Sequence, residues 1–329
     1  MTKVPVLVTG GAGYIGSHAV LALKDAGWPV AVIDDLSNGS RQVVPDNVPF
    51  YEGNVADRSL VDRIFEEERI EAIMHFAGSI VVPESVEQPL KYYANNTLAS
   101  HALISAAVAA GVKHILFSST AATYGAPERV PIDEDDPKVP INPYGASKLM
   151  TERMLEDASA AHPFNYGALR YFNVAGADPE GRTGQLGKGS THLIKVACEA
   201  AVGKRDRIAV YGTDYPTADG TCIRDYIHVS DLAAAHVAAL EWLVAHPDEN
   251  LVMNCGYGEG LSVLEVLDAV DRASGTPVKR VIEGRRAGDP PELVAGNARL
   301  LETLDWRPAY ADIDRIVGDA LAWERTLLD

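Results

Sequence analysis

Short apolar runs alternate with longer helical stretches through the first half of the chain. The runs are rich in β-branched residues, and the stretches between them repeat apolar residues at helical spacing. The predicted strands are VPVLVTG (4–10), PVAVID (29–34), VPFYEG (48–53), IEAIMHFAG (70–78), HILFSST (114–120) and YGALRYFN (166–173). The predicted helices are YIGSHAVLALKDAG (14–27), RSLVDRIFEEER (58–69) and NTLASHALISAAVAAG (96–111). This alternation predicts an α/β fold with a doubly wound parallel sheet.

The pattern changes after about Asn173, where glycine-rich sequence leads into a helix and mixed short elements. We therefore predict two domains. Residues 1–173 carry the parallel sheet, and residues 174–329 form a smaller mixed α/β C-terminal domain. A helical stretch at 227–246 could return to the sheet, so parts of 228–258 are expected to belong to the first domain.

A glycine-rich turn, TGGAGYIG (9–16), connects the first predicted strand to the first helix. Gly11, Gly13 and Gly16 have the spacing of a dinucleotide-binding fingerprint. Glycines there permit a tight turn and close approach of the backbone to a pyrophosphate at the helix N-terminus. Tight turns use glycine for other reasons too, but the strand before and the helix after favour a Rossmann-type dinucleotide site.

The acidic residue at the end of the second strand indicates which dinucleotide binds. Asp34 can accept hydrogen bonds from an adenosine ribose and would repel a 2′-phosphate. No arginine occurs among residues 35–38. We therefore predict NAD, rather than NADP, as the cofactor.

A tyrosine and a lysine one helical turn apart follow an Asn-Pro pair in NPYGASK (142–148). Asn142 suits a helix N-cap and Pro143 the first helical position, so Tyr144 and Lys148 share one face. Taken alone, the motif also fits an ordinary surface helix. A tyrosine of pKa ~10 is a poor base at neutral pH, and a nearby ammonium group would lower that pKa. The pair can therefore act as a general base and the cation that activates it.

The fifth predicted strand ends in the hydroxyl side chains Ser118, Ser119 and Thr120. Ligands of open α/β sheets bind outside the carboxyl ends of the strands, so these hydroxyls are expected to face the cleft. With Tyr144 and Lys148 they can move the proton of an alcohol while its hydride goes to the cofactor.

Charge, hydropathy and cysteine content narrow the class of protein. The formal net charge of −17 argues against a nucleic-acid surface and against docking on anionic lipid. We expect no signal peptide, because a strand pattern begins almost at the N-terminus. No apolar run reaches the ~18 residues that span a bilayer. Cys198, Cys222 and Cys255 are widely spaced and odd in number, which predicts reduced thiols in a soluble cytoplasmic protein. His75 and His228 lie in apolar strands and are predicted to be core residues, so no metal is expected.

Several of these segments resemble a known family. The glycine fingerprint, the Ser-Ser-Thr strand end and the Tyr-x-x-x-Lys pair look like the extended branch of the short-chain dehydrogenase/reductase superfamily. Within it, the chain closely resembles the UDP-glucose 4-epimerases (UDP-galactose 4-epimerases) over essentially its whole length. The segments that carry this resemblance are HFAG (75–78), YGASKLMTE (144–152), LRYFNVAGA (169–177) and YGTDYPTADGTCIRDYIHVSDLAAAHV (211–237).

The resemblance implies an isomerase of galactose and nucleotide-sugar metabolism that inverts C4 of UDP-glucose and UDP-galactose reversibly. Tyr144, assisted by Thr120, takes the proton of the sugar 4-hydroxyl while hydride passes to tightly bound NAD. The 4-keto sugar then turns about its link to UDP, and hydride and proton return to its other face. A homodimer is also implied, with a contact formed by helices 96–110 and 146–161.

Matching positions imply roles for individual residues. The catalytic set is Tyr144, Lys148 and Thr120. The NAD set is Gly10, Gly13, Tyr14, Ile15, Gly16, Asp34, Asp35, Leu36, Ser37, Asn38, Gly39, Asn54, Val55, Phe76, Ala77, Gly78, Asn95, Ser118, Tyr144, Lys148 and Phe172. The UDP-sugar set is Thr120, Tyr144, Asn173, Leu193, Tyr211, Arg224, Arg286, Asp289 and Leu293.

Within the UDP-sugar set, Arg224 and Arg286 would clamp the diphosphate, and Asp289 would bind a ribose hydroxyl. Simpler interpretations stay open. Arg224 could pair with Asp225, Arg286 could be solvated surface, and Asn173 could cap the end of a strand.

The sequence departs from the family pattern at several positions. Asn54 replaces an aspartate on the adenine side, and Thr120 replaces a serine. Ser79 and Ile80 follow HFAG where many members carry a lysine, and Lys195 stands where a proline is common. We expect the first of these to soften cofactor binding and the last to alter the uridine-side loop.

Residues at several positions bear on alternative substrates and reactions. Relatives carry a tyrosine or a small residue at the position of Leu293, so acceptance of UDP-N-acetylhexosamines stays open. A 4,6-dehydratase needs an Asp-Glu pair after the strand-five threonine, and TAATYG (120–125) lacks it. No cation is evident for the C6 carboxylate of a uronate substrate. A non-catalytic NAD-binding regulator typically lacks the tyrosine or the lysine, and both are present here.

Overall fold

The computed structural model describes residues 3–186, 190–286 and 289–328. The strands are β1 (Val6–Thr9), β2 (Val30–Asp34), β3 (Phe50–Glu52), β4 (Ala72–His75), β5 (His114–Ser118), β6 (Asn165–Tyr171), β7 (Asn173–Ala175), β8 (Ile208–Tyr211), β9 (Ile223–His228), β10 (Leu251–Cys255), β11 (Gly260–Ser262), β12 (Arg280–Glu283) and β13 (Glu292–Leu293). The helices are α1 (Tyr14–Asp25), α2 (Arg58–Glu67), α3 (Val82–Glu87), α4 (Pro89–Tyr92), α5 (Ala99–Ala110), α6 (Pro143–Ala161), α7 (Leu193–Ala201), α8 (Val229–Ala245), α9 (Val263–Ser274), α10 (Ala298–Thr303) and α11 (Ile313–Thr326). None of these helices is both long and apolar enough to cross a membrane.

Seven parallel strands form the large sheet, in the order β10-β6-β5-β4-β1-β2-β3. All six strands predicted from apolar runs lie in this sheet, so the predicted doubly wound α/β fold is confirmed. β10 follows α8 and pairs with β6 at one edge, so the chain returns to the large sheet after β7–β9. The carboxyl ends of β1, β2, β4 and β5 lie along one edge of this parallel sheet, where the predicted cofactor residues are found.

Helices cover both faces of the large sheet, which explains why its strands are nearly continuous apolar runs. Val6 and Val8 of β1 belong to a core cluster that includes Leu232 and Leu240 of α8. Leu7, between them, belongs to a second cluster formed with α2, α5 and α6. The side-chain period of two thus sends neighbouring residues of one strand into separate cores.

The smaller part of the structure is built on β9, which pairs with β7, β11 and β13. β8 and β12 form a separate parallel pair, and α7, α9 and α11 pack around a third core cluster. β6 ends at Tyr171 and β7 begins at Asn173, so the chain passes from the large sheet to the small one at Phe172. This passage brings the small sheet to the carboxyl edge of the large one.

The helix predicted over 96–111 differs at its start. Tyr93–Leu98 forms a π-helical turn, and α5 begins only at Ala99. In this turn, Asn96 accepts a hydrogen bond from the backbone N–H of Ser79 (2.7 Å) and donates one to its carbonyl oxygen (3.0 Å). Helical periodicity does not reveal a wider turn of this kind, which is frequent at functional sites.

Candidate active site

The glycine turn after β1 forms one wall of a cavity of about 250 Å³. Gly10 has a φ of +68°, and a Cβ atom there would lie 2.7 Å from the backbone nitrogen of Ala77. A Cβ atom on Gly16 would collide with the carbonyl oxygen of Gly10. Among the described residues no side chain caps the start of α1, and residues 13–16 line the cavity. The turn can therefore bind a pyrophosphate with backbone N–H groups.

Asp34 is buried at the end of β2 and lines the same cavity. Its carboxylate accepts hydrogen bonds from the backbone N–H groups of Ala12 (2.9 Å) and Leu36 (2.8 Å). Burial raises the pKa of Asp34, and these two bonds oppose the rise. The carboxylate is thus fixed beside the glycine turn, where it can accept hydrogen bonds from a ribose. Leu36 has a left-handed backbone, and its side chain packs against the core beneath the sheet.

Most of the residues predicted to bind NAD line this cavity. They are Gly10, Gly13, Tyr14, Ile15, Gly16, Asp34, Asp35, Ser37, Asn38, Gly39, Asn54, Val55, Phe76, Ala77, Gly78 and Asn95. Other parts of the wall are absent from the predicted set: Ser79–Val81, Tyr171, and two stretches, 184–186 and 190–192. Tyr171 ends β6, so the rule that ligands bind at the carboxyl ends of strands could have found it. The two stretches lie in glycine-rich sequence, where periodicity gives no signal.

The predicted catalytic residues meet where β5 ends. Thr120 follows the strand, and its side chain interacts with that of Tyr144 on α6. The Thr120 hydroxyl also accepts a hydrogen bond from the backbone N–H of Ala122 (3.1 Å). One turn along α6, Nζ of Lys148 donates to the carbonyl oxygen of Ser118 (2.9 Å). The Ser118 hydroxyl donates to the hydroxyl of Tyr171 (2.9 Å), which lines the cofactor cavity. The catalytic group therefore adjoins the cavity through Tyr171.

Burial shifts the pKa values of both Tyr144 and Lys148. α6 begins as predicted, with the Asn142 side chain accepting a hydrogen bond from the backbone N–H of Gly145 (2.9 Å). Burial raises the pKa of Tyr144, and the interaction with Thr120 opposes this rise. Burial also lowers the pKa of Lys148 to about 8. Nζ of Lys148 is directed at a backbone carbonyl, and its activation of Tyr144 stays a prediction.

A buried polar network holds the end of β5 in place. The Ser119 hydroxyl donates a hydrogen bond to the carboxylate of Glu152 on α6. This carboxylate also accepts hydrogen bonds from Nε (3.0 Å) and Nη2 (2.6 Å) of Arg170. Arg170 donates to the hydroxyl of Tyr124 (2.9 Å), and Tyr124 donates to the side chain of Asn254 on β10 (2.7 Å). All five side chains are buried. The two charges compensate each other, as burial of ionised groups requires.

The predicted nucleotide-sugar residues lie mainly on the small sheet. Arg224 of β9 is buried, and its Nη2 lies 3.4 Å from Oδ1 of Asp289. Leu293 of β13 is directly opposite Arg224 in the strand register. The neighbouring Asp225 instead accepts three backbone N–H groups, from the segments that follow β10 and β13. The alternative ion pair between Arg224 and Asp225 is therefore wrong.

Two adjacent arginines beyond β12 have different surroundings. The guanidinium of Arg285 forms an ion pair with Asp214 (2.7 Å) and is partly exposed. The guanidinium of Arg286 lies over the ring of Tyr211, 3.8 Å from its centroid. Within the described ranges, no carboxylate lies within ion-pair distance of Arg286. Its charge is therefore available to an anionic ligand.

Of the remaining predicted positions, Phe172, Asn173 and Leu293 lie where the two sheets meet, and Leu193 lies on α7. Phe172 and Leu293 pack against a small buried cluster that includes Tyr124. Asn173 is the first residue of β7 and lies opposite Tyr226 of β9. The cluster thus joins the end of β5 to the strand that carries Leu293. Leu193 is the first residue of α7.

The two histidines noted in the sequence have structural contacts. His75 forms hydrogen bonds with the hydroxyls of Thr9 (2.7 Å) and Ser100 (2.8 Å), and burial lowers its pKa to about 3. His228 accepts the backbone N–H of Ser230 (3.0 Å) at the start of α8. In the part of the chain that the structure describes, no group of three or more His, Cys, Asp or Glu residues could hold a metal ion.

Comparison with known proteins connects these features. Residues 6–256 match the model of the NAD dependent epimerase/dehydratase family. The chain belongs to this family. Its members include proteins that the chain resembles along almost its entire length, so the resemblance seen in the sequence motifs is confirmed.

A UDP-glucose 4-epimerase of Azospirillum brasilense is 60% identical over 322 residues, which cover 98% of this chain and 92% of that protein. The crystal structure of the UDP-glucose 4-epimerase of Brucella ovis in complex with NAD has a TM-score of 0.94 at 44% identity and covers 98% of each chain. That of the Bifidobacterium longum enzyme in complex with NAD+ and UDP has a TM-score of 0.92 at 39% identity and also covers 98% of each chain.

The cofactor of the NAD dependent epimerase/dehydratase family fits the residues of the cavity. Side chains larger than hydrogen would collide with neighbouring backbone at Gly10 and Gly16, and the backbone of the turn lines the cavity. The start of α1 offers N–H groups to a pyrophosphate, and Asp34 offers a fixed acceptor to a ribose. The predicted dependence on NAD is confirmed for the family.

Positions that depart from the family pattern have local partners. The Asn54 amide donates to Asp35 (3.2 Å), so it takes part in the loop after β2. The Ser79 hydroxyl accepts a hydrogen bond from Asn95 (3.1 Å), and the Ile80 side chain is exposed. Lys195 is buried and forms one ion pair within α7, with Glu199, and one with Glu324 of α11.

Proposed function

We propose that this protein is an NAD-dependent isomerase that reversibly inverts C4 of UDP-glucose and UDP-galactose. The placement of Tyr144 and Thr120 at the end of β5, beside the cavity of the glycine turn, carries the proposal. The activity named for the Azospirillum brasilense, Brucella ovis and Bifidobacterium longum proteins supports it.

In this proposal Tyr144 exchanges a proton with the 4-hydroxyl of the sugar, and Thr120 orients the phenol. Burial raises the pKa of Tyr144, and the interaction with Thr120 opposes this rise, which favours loss of the phenolic proton. Lys148 supplies a cation one turn away, held by the carbonyl oxygen of Ser118. NAD, when bound, accepts hydride from C4 and returns it. One acid–base group suffices for both directions, because the sugar presents first one face and then the other.

The UDP portion is proposed to bind on the small sheet. Arg286 is the main contact for the diphosphate, because its guanidinium lies over Tyr211 with no carboxylate partner among the described residues. Arg224 assists, and the length of its contact with Asp289 (3.4 Å) lets both side chains take ligand partners. Leu293 lines the hexose side, and Asn173 and Leu193 complete the proposed set.

The purified protein is expected to form UDP-glucose from UDP-galactose with no added reductant, and the reverse, as measured by chromatography of the nucleotide sugars. A protein inert on both sugars would refute the proposed function. A parallel incubation with UDP-N-acetylgalactosamine decides whether the pocket beside Leu293 admits an N-acetyl group, the alternative substrate class.

We also propose how the chain divides and where it works. Residues 1–173, with α8 and β10, would bind NAD, and the rest of 174–329 would bind the UDP-sugar. α8 packs on α1, and β10 pairs with β6, which supports this division. A cytoplasmic location is proposed because Cys198, Cys222 and Cys255 are buried thiols without disulfide bonds.

A homodimer through α5 and α6 is a further part of the proposal. Leu98, just before α5, and Met150 on α6 are 65% and 45% exposed, and Val86 and Leu90 nearby in the chain are exposed as well. Covering such side chains would remove apolar surface from water. Light scattering is expected to give the mass of two chains for the wild type and of one chain for Leu98→Glu with Met150→Glu. A wild type of one-chain mass would contradict the dimer.

A further inference from the structure

Two stretches outside the large sheet complete the wall of the cofactor cavity. Residues 184–186 and 190–192 line it together with the glycine turn. They are joined to each other by the Gln185 side chain, which contacts Ser190 (3.2 Å) and Nδ1 of His192 (3.0 Å). The position of Gln185 therefore determines how this wall faces a bound cofactor.

The chain just before this wall is held by α1. The Tyr14 hydroxyl donates to the carbonyl oxygen of Gly176 (2.7 Å). The hydroxyls of Ser17 and Thr183 form a hydrogen bond (3.0 Å). These contacts fix one end of the wall to the helix that offers its N-terminus to the pyrophosphate.

At Gln185 the wall is held by α7 and α11. Nζ of Lys195 donates to the carbonyl oxygen of Gln185 (2.9 Å), and Nε1 of Trp323 donates to the same atom (3.3 Å). Lys195 also pairs with the carboxylate of Glu324, which is 1% exposed. A Cβ atom on Gly184 would lie 2.5 Å from the Trp323 ring, so the backbone at Gly184 packs directly against this ring.

The charged groups around Lys195 lie on its own helix, α7, on α11, and in the segment after α7. Glu199 on α7 lies 3.6 Å from Nζ of Lys195, and Lys204 lies 3.2 Å from Glu324. The carboxylates neutralise the buried positive charge of Lys195, and one of its N–H groups still donates to the carbonyl oxygen of Gln185. The lysine thus adds a connection between the cavity wall and the C-terminal helix.

We propose that Lys195 is a positioning residue for cofactor retention: by holding the Gln185 carbonyl against α7 and α11, it keeps the wall closed on bound NAD. The inference rests on the proposed function, because it takes NAD as the occupant of the cavity. It concerns the rate at which NAD leaves, and Lys195 touches neither the sugar nor the reacting atoms.

The test is the rate of NAD release from the loaded protein, followed as loss of bound nucleotide after dilution into an NAD-scavenging mixture. Lys195→Met is expected to release NAD about tenfold faster or more, since a buried charge-assisted contact to the wall is lost. A second variant, Lys195→Met with Glu324→Gln, removes both charges and is expected to show the same acceleration. The control is Arg272→Met, which breaks an exposed ion pair between α9 and α11 (2.5 Å) away from the cavity. It is expected to stay within about twofold of wild type.

The thermal midpoint of each NAD-free protein separates retention from general stability. If both Lys195 variants release NAD at the wild-type rate, the inference is overturned, whether or not their thermal midpoints change. Acceleration in the single variant but not in the double one would assign the effect to an unpaired Glu324 and overturns it too. Wild-type protein that binds no NAD would refute the proposed function instead.

Discussion

Tyr144→Phe is expected to lower kcat for the interconversion of UDP-galactose and UDP-glucose by about 10²–10⁴-fold, the usual contribution of a general acid–base group. The substitution removes only the hydroxyl that interacts with Thr120. The ring keeps its edge contact with Tyr92, whose centroid lies 6.4 Å away. The cavity wall is untouched, so bound NAD, measured by absorbance after denaturation, should remain at the wild-type level.

A matched control for this variant is Tyr166→Phe. Tyr166 is a buried tyrosine of β6 in the core cluster beneath α5 and α6. The substitution removes the same phenolic hydroxyl outside the proposed site, so the kcat of the Tyr166→Phe protein should stay close to that of the wild type. Full activity in Tyr144→Phe would contradict the role of this residue as the acid–base group and leave the overall reaction to be explained otherwise.

Arg286→Met is expected to raise KM for UDP-galactose by about 10–100-fold with a smaller effect on kcat. The reason is that hydrogen bonds to a charged group contribute about 1.5–3 kcal/mol. The guanidinium over Tyr211 is the proposed contact for the diphosphate, which takes no part in the chemistry at C4. Steady-state kinetics and the affinity for UDP alone measure the two effects separately.

The neighbouring arginine provides the control for this experiment. Arg285→Met breaks an exposed ion pair with Asp214 and a contact with the ring of Tyr215. Exposed pairs of this kind contribute little, so KM should stay within about threefold of wild type. An equal rise in KM for both variants would mean that net positive charge of the loop, rather than Arg286 itself, binds the diphosphate.

The large sheet and the cofactor turn could be predicted from the sequence because their signals are local. Buried parallel strands read as apolar runs, and the turn at Gly10 needs a positive φ that glycine adopts freely. Asp34 and Thr120 follow from the rule that ligands bind at the carboxyl ends of strands. Asn142 begins α6 by a capping interaction that spans three residues.

Features that depend on distant partners could not be predicted. Lys148 stands four residues from Tyr144, and its ammonium meets the Ser118 carbonyl oxygen, a contact that spacing alone does not show. Arg224 pairs with Asp289, 65 residues away, and not with its neighbour Asp225. Lys195 meets Glu324, 129 residues away on α11, across a wall formed by glycine-rich sequence. In each case the tertiary fold, rather than a local pattern, selects the contact.

In the proposed reaction, one hydrogen leaves C4 of the sugar and returns to C4 of the same sugar from the other side. UDP-galactose carrying deuterium at C4 tests this most directly. We expect UDP-glucose formed in ordinary water to keep its deuterium at C4, as measured by NMR of the product. Loss of deuterium to water during turnover would contradict the proposed reaction, because the hydrogen would then have left as an exchangeable proton.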